Sequence, residues 1–186
     1  MSSYGPNKVR TLTSYEIDYS GELIIEFFEN RLQYLKPRDE RSSWSSREFD
    51  TFEIIFHELF IYAVALGLKN KNYLFLEEIL NSKYFVDDLY YQKQEPSDFD
   101  FLNKHHEYLE NYMHHQYNKI TGFGHYTITN LSDQVEKKTF VFADTLCYAV
   151  SYLKSKNDYD YWFPHTYLYG KENNRGFFEK FFQLFS

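Results

Sequence analysis

Cysteine is nearly missing from this chain: Cys147 is the only one in 186 residues. An internal disulfide is thereby excluded, and the expected setting is a reducing compartment, the cytoplasm. Basic charge is also short, with 20 Lys and Arg against 27 Asp and Glu and a formal net charge of −7. Binding to nucleic acid or to an anionic membrane draws most of its affinity from a basic stripe that neutralises phosphates. Arg31, Arg38, Arg41 and Arg47 are the only arginine concentration, and acidic residues interrupt it, so generic binding of either kind is disfavoured. Long apolar runs are absent as well. The longest, "LFIYAVALGL" at 59–68, falls well short of the ~20 residues that span a bilayer, so a buried core helix is expected there and no membrane partner. The opening stretch "MSSYGPNKVRTLTSYEIDY" has no apolar segment of the kind a secretory signal needs.

Catalytic signatures are equally scarce. The sequence has no P-loop, no dinucleotide-binding glycine triplet, no HExxH and no cysteine pair. Glu136-Lys137-Lys138 imitates the E-x-K half of a nuclease core, but it falls in an expected helix without a preceding acidic strand residue.

What the chain has in excess is rings: 19 Tyr, 19 Phe and 2 Trp. Each buries roughly 150–250 Å², so the core is expected to be built mostly from aromatic side chains. At this length about 70% of the unfolded surface can be buried without staples. No linker or repeat divides the chain, and a single domain over 1–186 is the economical expectation.

Apolar spacing makes that domain mainly α, a helical bundle around a central antiparallel hairpin. The stretch 19–35 sets Leu23, Phe27, Leu32 and Leu35 near one helical face and stops at Lys36-Pro37. Ser45 and Glu48 have capping-box spacing and announce a second helix over about 46–68. Its stripe is Phe49, Phe52, Phe56, Leu59, Ala63 and Leu66, with Asp50, Glu53 and His57 on the other side of its first half. Beyond Leu59 it has no wet side. "KNKN" at 69–72 is a short turn, so "YLFLEEIL" at 73–80 must fold back antiparallel. A short strand or helix is expected before Pro96, a helix over 98–117, and a short β segment near 124–130, where "TGFGHYTITN" shows glycine punctuation followed by alternation. A helix from about Ser132 turns Phe140, Ala143, Leu146, Cys147, Val150 and Leu153 inward. The tail looks extended around Pro164, and "GFFEKFFQLF" forms a last amphipathic helix.

Three groups of residues invite chemistry. In "HHEYLENYMHHQ" (105–116), His106, Glu110 and His114 follow at i, i+4 and i+8. Imidazole and carboxylate are ligands for zinc, iron or manganese. Three rungs climbing about 12 Å of one helix cannot all reach one ion, so any metal would need ligands from a second segment. A plain helix flank is the favoured reading, and no cofactor is expected. Asp50, Glu53 and His57 form a polar pocket candidate, in which a carboxylate orients an imidazole as in a general base. Trp162, Phe163, His165, Tyr167 and Tyr169, in "DYWFPHTYLY", are either a ligand or partner contact surface or the lid that closes the core. Asp144 lies inside the apolar stretch "FVFADTLCYAV" and needs a buried partner.

"GPNKVR", the hairpin "FHELFIYAVALGLKNKNYLFLEEIL" and "ADTLCYAVSYL … YWFPHTYLY … GFFEKFF" resemble segments of bacterial helical proteins associated with antiphage or abortive-infection systems. The resemblance implies a bacterial cytosolic setting and a partner-dependent or regulatory role. It carries neither a named activity nor any functional residue. The function expected is therefore a non-enzymatic interaction or regulatory module that binds a protein partner, with self-association as a further option. Two alternatives stay open. One is a metal-dependent hydrolase or nuclease using the His/Glu cluster. The other is a small-molecule or nucleotide sensor with an aromatic pocket.

Overall fold

A computed structural model describes residues 21–30, 50–87, 94–103, 111, 115, 121–155 and 161–173. Among these the protein is mainly α, with six helices of eight or more residues: α1 Gly21–Asn30, α2 Asp50–Lys69, α3 Tyr73–Asn81, α4 Gly122–Thr129, α5 Lys137–Lys154 and α6 His165–Asn173. A two-stranded antiparallel sheet, β1 Tyr84–Asp87 and β2 Gln94–Ser97, pairs Tyr84 with Ser97 and Phe85 with Pro96. Proline is tolerated there because this small sheet has only edge strands.

The hairpin of α2 and α3 forms as its short link requires. Lys71 takes a left-handed backbone (φ 55°) to make the turn, and the Asn72 side chain caps α3 by accepting from the Phe75 amide at 3.2 Å. Helix α5 lies alongside both. At one end the Lys69 ammonium donates to the Gln134 carbonyl at 3.1 Å. At the other, Lys154 donates to the Leu80 carbonyl at 2.5 Å, satisfying an orphan acceptor in the last turn of α3. These two ties set α3 and α5 running in the same direction, opposite to α2.

The core is a continuous cluster of rings and aliphatic side chains, with Phe28, Phe56, Phe60, Phe75, Tyr84, Phe99, Phe140 and Trp162 among its buried members. By length and composition alone, Thr51–Lys69 is apolar enough to cross a bilayer. A core helix meets the same criterion, and this one gives Phe56, Phe60, Ile61, Val64 and Ala65 to the interior.

Several expectations need correction. The segment near 124–130 is not β: it is helix α4. Thr121 stands at its N-cap and accepts from the Gly124 amide at 3.1 Å. Gly124 serves close approach rather than a turn, since a Cβ there would lie 2.2 Å from the His165 carbonyl oxygen of α6. The helix expected over 98–117 is not continuous from 98: Phe99–Leu102 is a 3-10 turn that Asn103 leaves with ψ 88°, while Asn111 and His115, the described residues further on, are helical. Helix α6 begins directly after Pro164, where an extended tail was expected. On α1, Phe27 points outward and Leu23 is 65% exposed, while Phe28 is the buried ring. Phe28 wins because its ring meets Phe56 and Phe60 edge-on, with centroids 6.5 and 5.3 Å away. On α5, Leu153 is exposed, where an inward position was expected. The Ser45–Glu48 box, Leu32, Leu35, Phe49 and the last amphipathic helix lie outside the described residues.

Candidate functional site

The residues that looked most chemical meet inside the protein. His57 on α2 is fully buried, against the expectation of a pocket wall on an accessible flank. Its imidazole stacks on the Trp162 indole (centroids 4.5 Å apart, planes 14° apart) and meets the edges of Phe123 at 4.8 Å and His165 at 6.1 Å. Its Nδ1 donates to the Leu102 carbonyl at 3.2 Å, which fixes the tautomer. The physical reason for the correction is ring count. With Phe60, Phe99, Phe123 and Trp162 all at one level of the core, an imidazole adds matching flat surface there. Glu53 is half-buried, and the Asp50 side chain lies outside the described residues.

Asp144 finds the partners that its burial demands. The Trp162 Nε1–H donates to Oδ1 at 2.7 Å, and Oδ2 accepts from the Thr166 amide at 2.9 Å and the Thr166 hydroxyl at 2.7 Å. The carboxylate thus caps the first turn of α6 from another helix. Burial pushes its pKa up; the bonds from Thr166 and Trp162 and the nearby His165 imidazole pull it back. The Trp162 amide donates to the Ser151 hydroxyl at 2.9 Å, and Thr121 Oγ1 lies 3.1 Å from His165 Nδ1. One node therefore ties α2, the 3-10 turn, α4, α5 and α6 together. With His57, Asp144, Trp162 and Thr166 all at zero exposure, it is sealed from solvent.

The aromatic tail is divided by this arrangement. Trp162 and His165 face inward rather than forming a contact wall, Tyr167 and Tyr169 pack against the core half-buried, and Phe163 alone keeps a largely exposed ring. Cys147 is buried, and burial lifts its thiol well above the usual range, the opposite of what a nucleophile needs. His106, Glu110 and His114 lie outside the described residues. Among the described residues no group of three or more His, Cys, Asp or Glu is placed to hold a metal ion.

The surface carries two apolar features that sequence reasoning passed over. On α2, Phe52 (44% exposed), Ile55 (44%) and Leu59 (40%) follow at i, i+3 and i+7, and α1 exposes Leu23 and Phe27; the Phe27 and Phe56 rings, 5.8 Å apart, bring the two helices together. Between α3 and α5 lies a cavity of about 710 Å³. The signal for both was a surplus: each of α2 and α5 has more apolar positions than one buried face can hold.

Fold and sites together define a class, a mainly α, ring-packed module with its polar side chains sealed inside and apolar surface left outside. Set beside known proteins, the chain matches no protein family, no curated protein and no solved structure.

Proposed function

We propose that this chain is a non-enzymatic interaction module that binds a protein partner through the exposed apolar face of α1 and α2. The observation that carries the reading is the row Leu23, Phe27, Phe52, Ile55 and Leu59, five large apolar side chains with 40% or more of their surface in solvent. Large apolar side chains left in solvent on two helices that meet at the Phe27 and Phe56 rings suit a surface that a partner covers. The sealed node supports the same reading from the other side, because His57 and Asp144 are engaged in holding elements together. The resemblance to antiphage and abortive-infection proteins suggests a regulatory setting for the partner.

The test is affinity purification of the full chain and of a Phe52→Asp variant from cells that produce it, with self-association measured by light scattering. The expected result is a stoichiometric protein partner, or a second copy, held by the original chain and lost by a variant of matched thermal stability. A folded chain that stays monomeric and retains no partner contradicts the proposal, as does a partner held equally by both.

A further inference from the structure

We propose that the groove between α3 and α5 binds a single-chain anionic amphiphile, a long-chain carboxylate whose tail lies along the groove and whose head sits at one end. The site shares no residue with the α1 and α2 face. Its walls are aliphatic and aromatic: Leu76 and Leu80 on α3 face Phe142, Leu146 and Val150 on α5, with Leu68 of α2 beneath. Its volume, about 710 Å³, lies in the range of pockets that enclose small molecules, roughly 300–1,000 Å³. From Lys138 to Val150 the α5 wall runs about 18 Å, so the space is long and suits a chain better than a compact ring system.

The lysines that line the groove are gathered at one end. Lys69 closes α2, Lys71 sits in the turn to α3, and Lys138 lies in the first turn of α5; all three line the cavity. The tie from Lys69 to the Gln134 carbonyl brings these segments to the same end. Helices α3 and α5 begin there while α2 ends there, so the helix ends leave the partial positive charge of about one N-terminus. Among the described residues Glu77 is the one carboxylate on the rim, and Lys138 also meets Glu136 at 3.0 Å on the exposed surface, a pair too solvated to hold the ammonium. A cluster of three ammonium groups on a chain of net charge −7 marks where an anion would sit. At the far end the lining side chains Leu80, Asn81 and Val150 are uncharged, and the nearby Lys154 ammonium is taken up by the Leu80 carbonyl and the Asp98 carboxylate. This polarity favours one anionic head on an apolar tail.

Calorimetric titration of the full chain with octanoate, dodecanoate and dodecan-1-ol, below the micelle threshold, tests the proposal. The expected result is one site, affinity rising about fourfold per added methylene, and dodecanoate bound about two- to fivefold tighter than the alcohol. That difference should shrink with salt. The double variant Lys71→Asn with Lys138→Ala should erase the preference for the acid while keeping alcohol binding; asparagine tolerates the left-handed backbone at 71. Leu146→Trp, or Val150→Trp if the first does not fold, should fill the groove and abolish both. The proposal is overturned if the folded chain does not take up dodecanoate, if the alcohol binds as tightly, or if binding survives the filled groove. It is overturned equally if many molecules bind while the melting temperature falls, the mark of surfactant denaturation.

Discussion

The node around Asp144 and the exposed row on α1 and α2 have inverted the roles their side chains suggest. Histidine, aspartate and threonine, the usual vocabulary of catalysis, lie at zero or nearly zero exposure, stacked and hydrogen-bonded. Phenylalanine, leucine and isoleucine, the usual vocabulary of a core, stand in solvent on α1 and α2. The difference teaches that residue type names a chemistry only when accessibility allows it. A buried carboxylate with three donors is a fastener, and the exposed apolar side chains are the surface proposed for a partner.

The contrast breaks most sharply at His57. His57→Ala removes a stacked ring from beside Trp162 and leaves the Leu102 carbonyl without its donor, so a loss of about 3–5 kcal/mol is expected in chemical denaturation. A loss under about 1 kcal/mol would mean that the ring is not part of the core. Gly124→Ala comes next. Its methyl would meet the His165 carbonyl oxygen, and forcing α4 from α6 is expected to destabilise by about 1–3 kcal/mol, read as an earlier urea midpoint.

The smallest effect sharpens the comparison through pH. Glu58 is partly buried and its pKa is raised, first by desolvation, with the Thr127 hydroxyl bond at 2.7 Å pulling it down. A carboxyl whose folded pKa is raised favours folding when protonated. Its contribution is whole below the ordinary carboxylate range and is lost as pH rises through the folded value. Glutamine keeps the acceptor for Thr127 and cannot titrate. The melting temperature of the original chain relative to Glu58→Gln should therefore be highest in acid and decline toward neutrality. A gap that grows with pH would show the opposite shift. Asp144 has the same sign and is common to both proteins, so it cancels.

The fold was legible where periodicity was strong. The α2 and α3 hairpin followed from apolar periodicity and a four-residue polar link, although α2 buries Phe56, Phe60, Ile61, Val64 and Ala65 and leaves Phe52 and Leu59 of the expected stripe exposed; α5 followed from helical spacing around Phe140, Ala143 and Cys147. It was illegible where a local signal has two meanings. The glycines of "TGFGHYTITN" suggested a turn and a strand, whereas Gly124 makes room for α6. Alternation in that stretch counted for less than the Thr121 cap. Of the sites, the sequence showed that Asp144 would be buried and would need a partner. Trp162 and Thr166, 18 and 22 residues away, could be named only once α5 and α6 were packed. His57 misled because polarity on one face of a helix usually marks solvent, and here it marks a stack of rings.

The central claim is that the polar node holds the fold while the apolar face is free to bind. The melting temperatures of Asp144→Asn and Phe52→Asp, measured side by side, test it most directly. Asparagine presents an amine where one of three donors now points, a loss of about 3 kcal/mol, or a fall of about 6–12 °C at this size. Phe52→Asp gives up a half-exposed ring in the first turn of α2, where an acid suits the helix end, and should lower the melting temperature by no more than about 4 °C. The reverse order, with the Asp144 change tolerated and the Phe52 change unfolding the chain, would contradict the account.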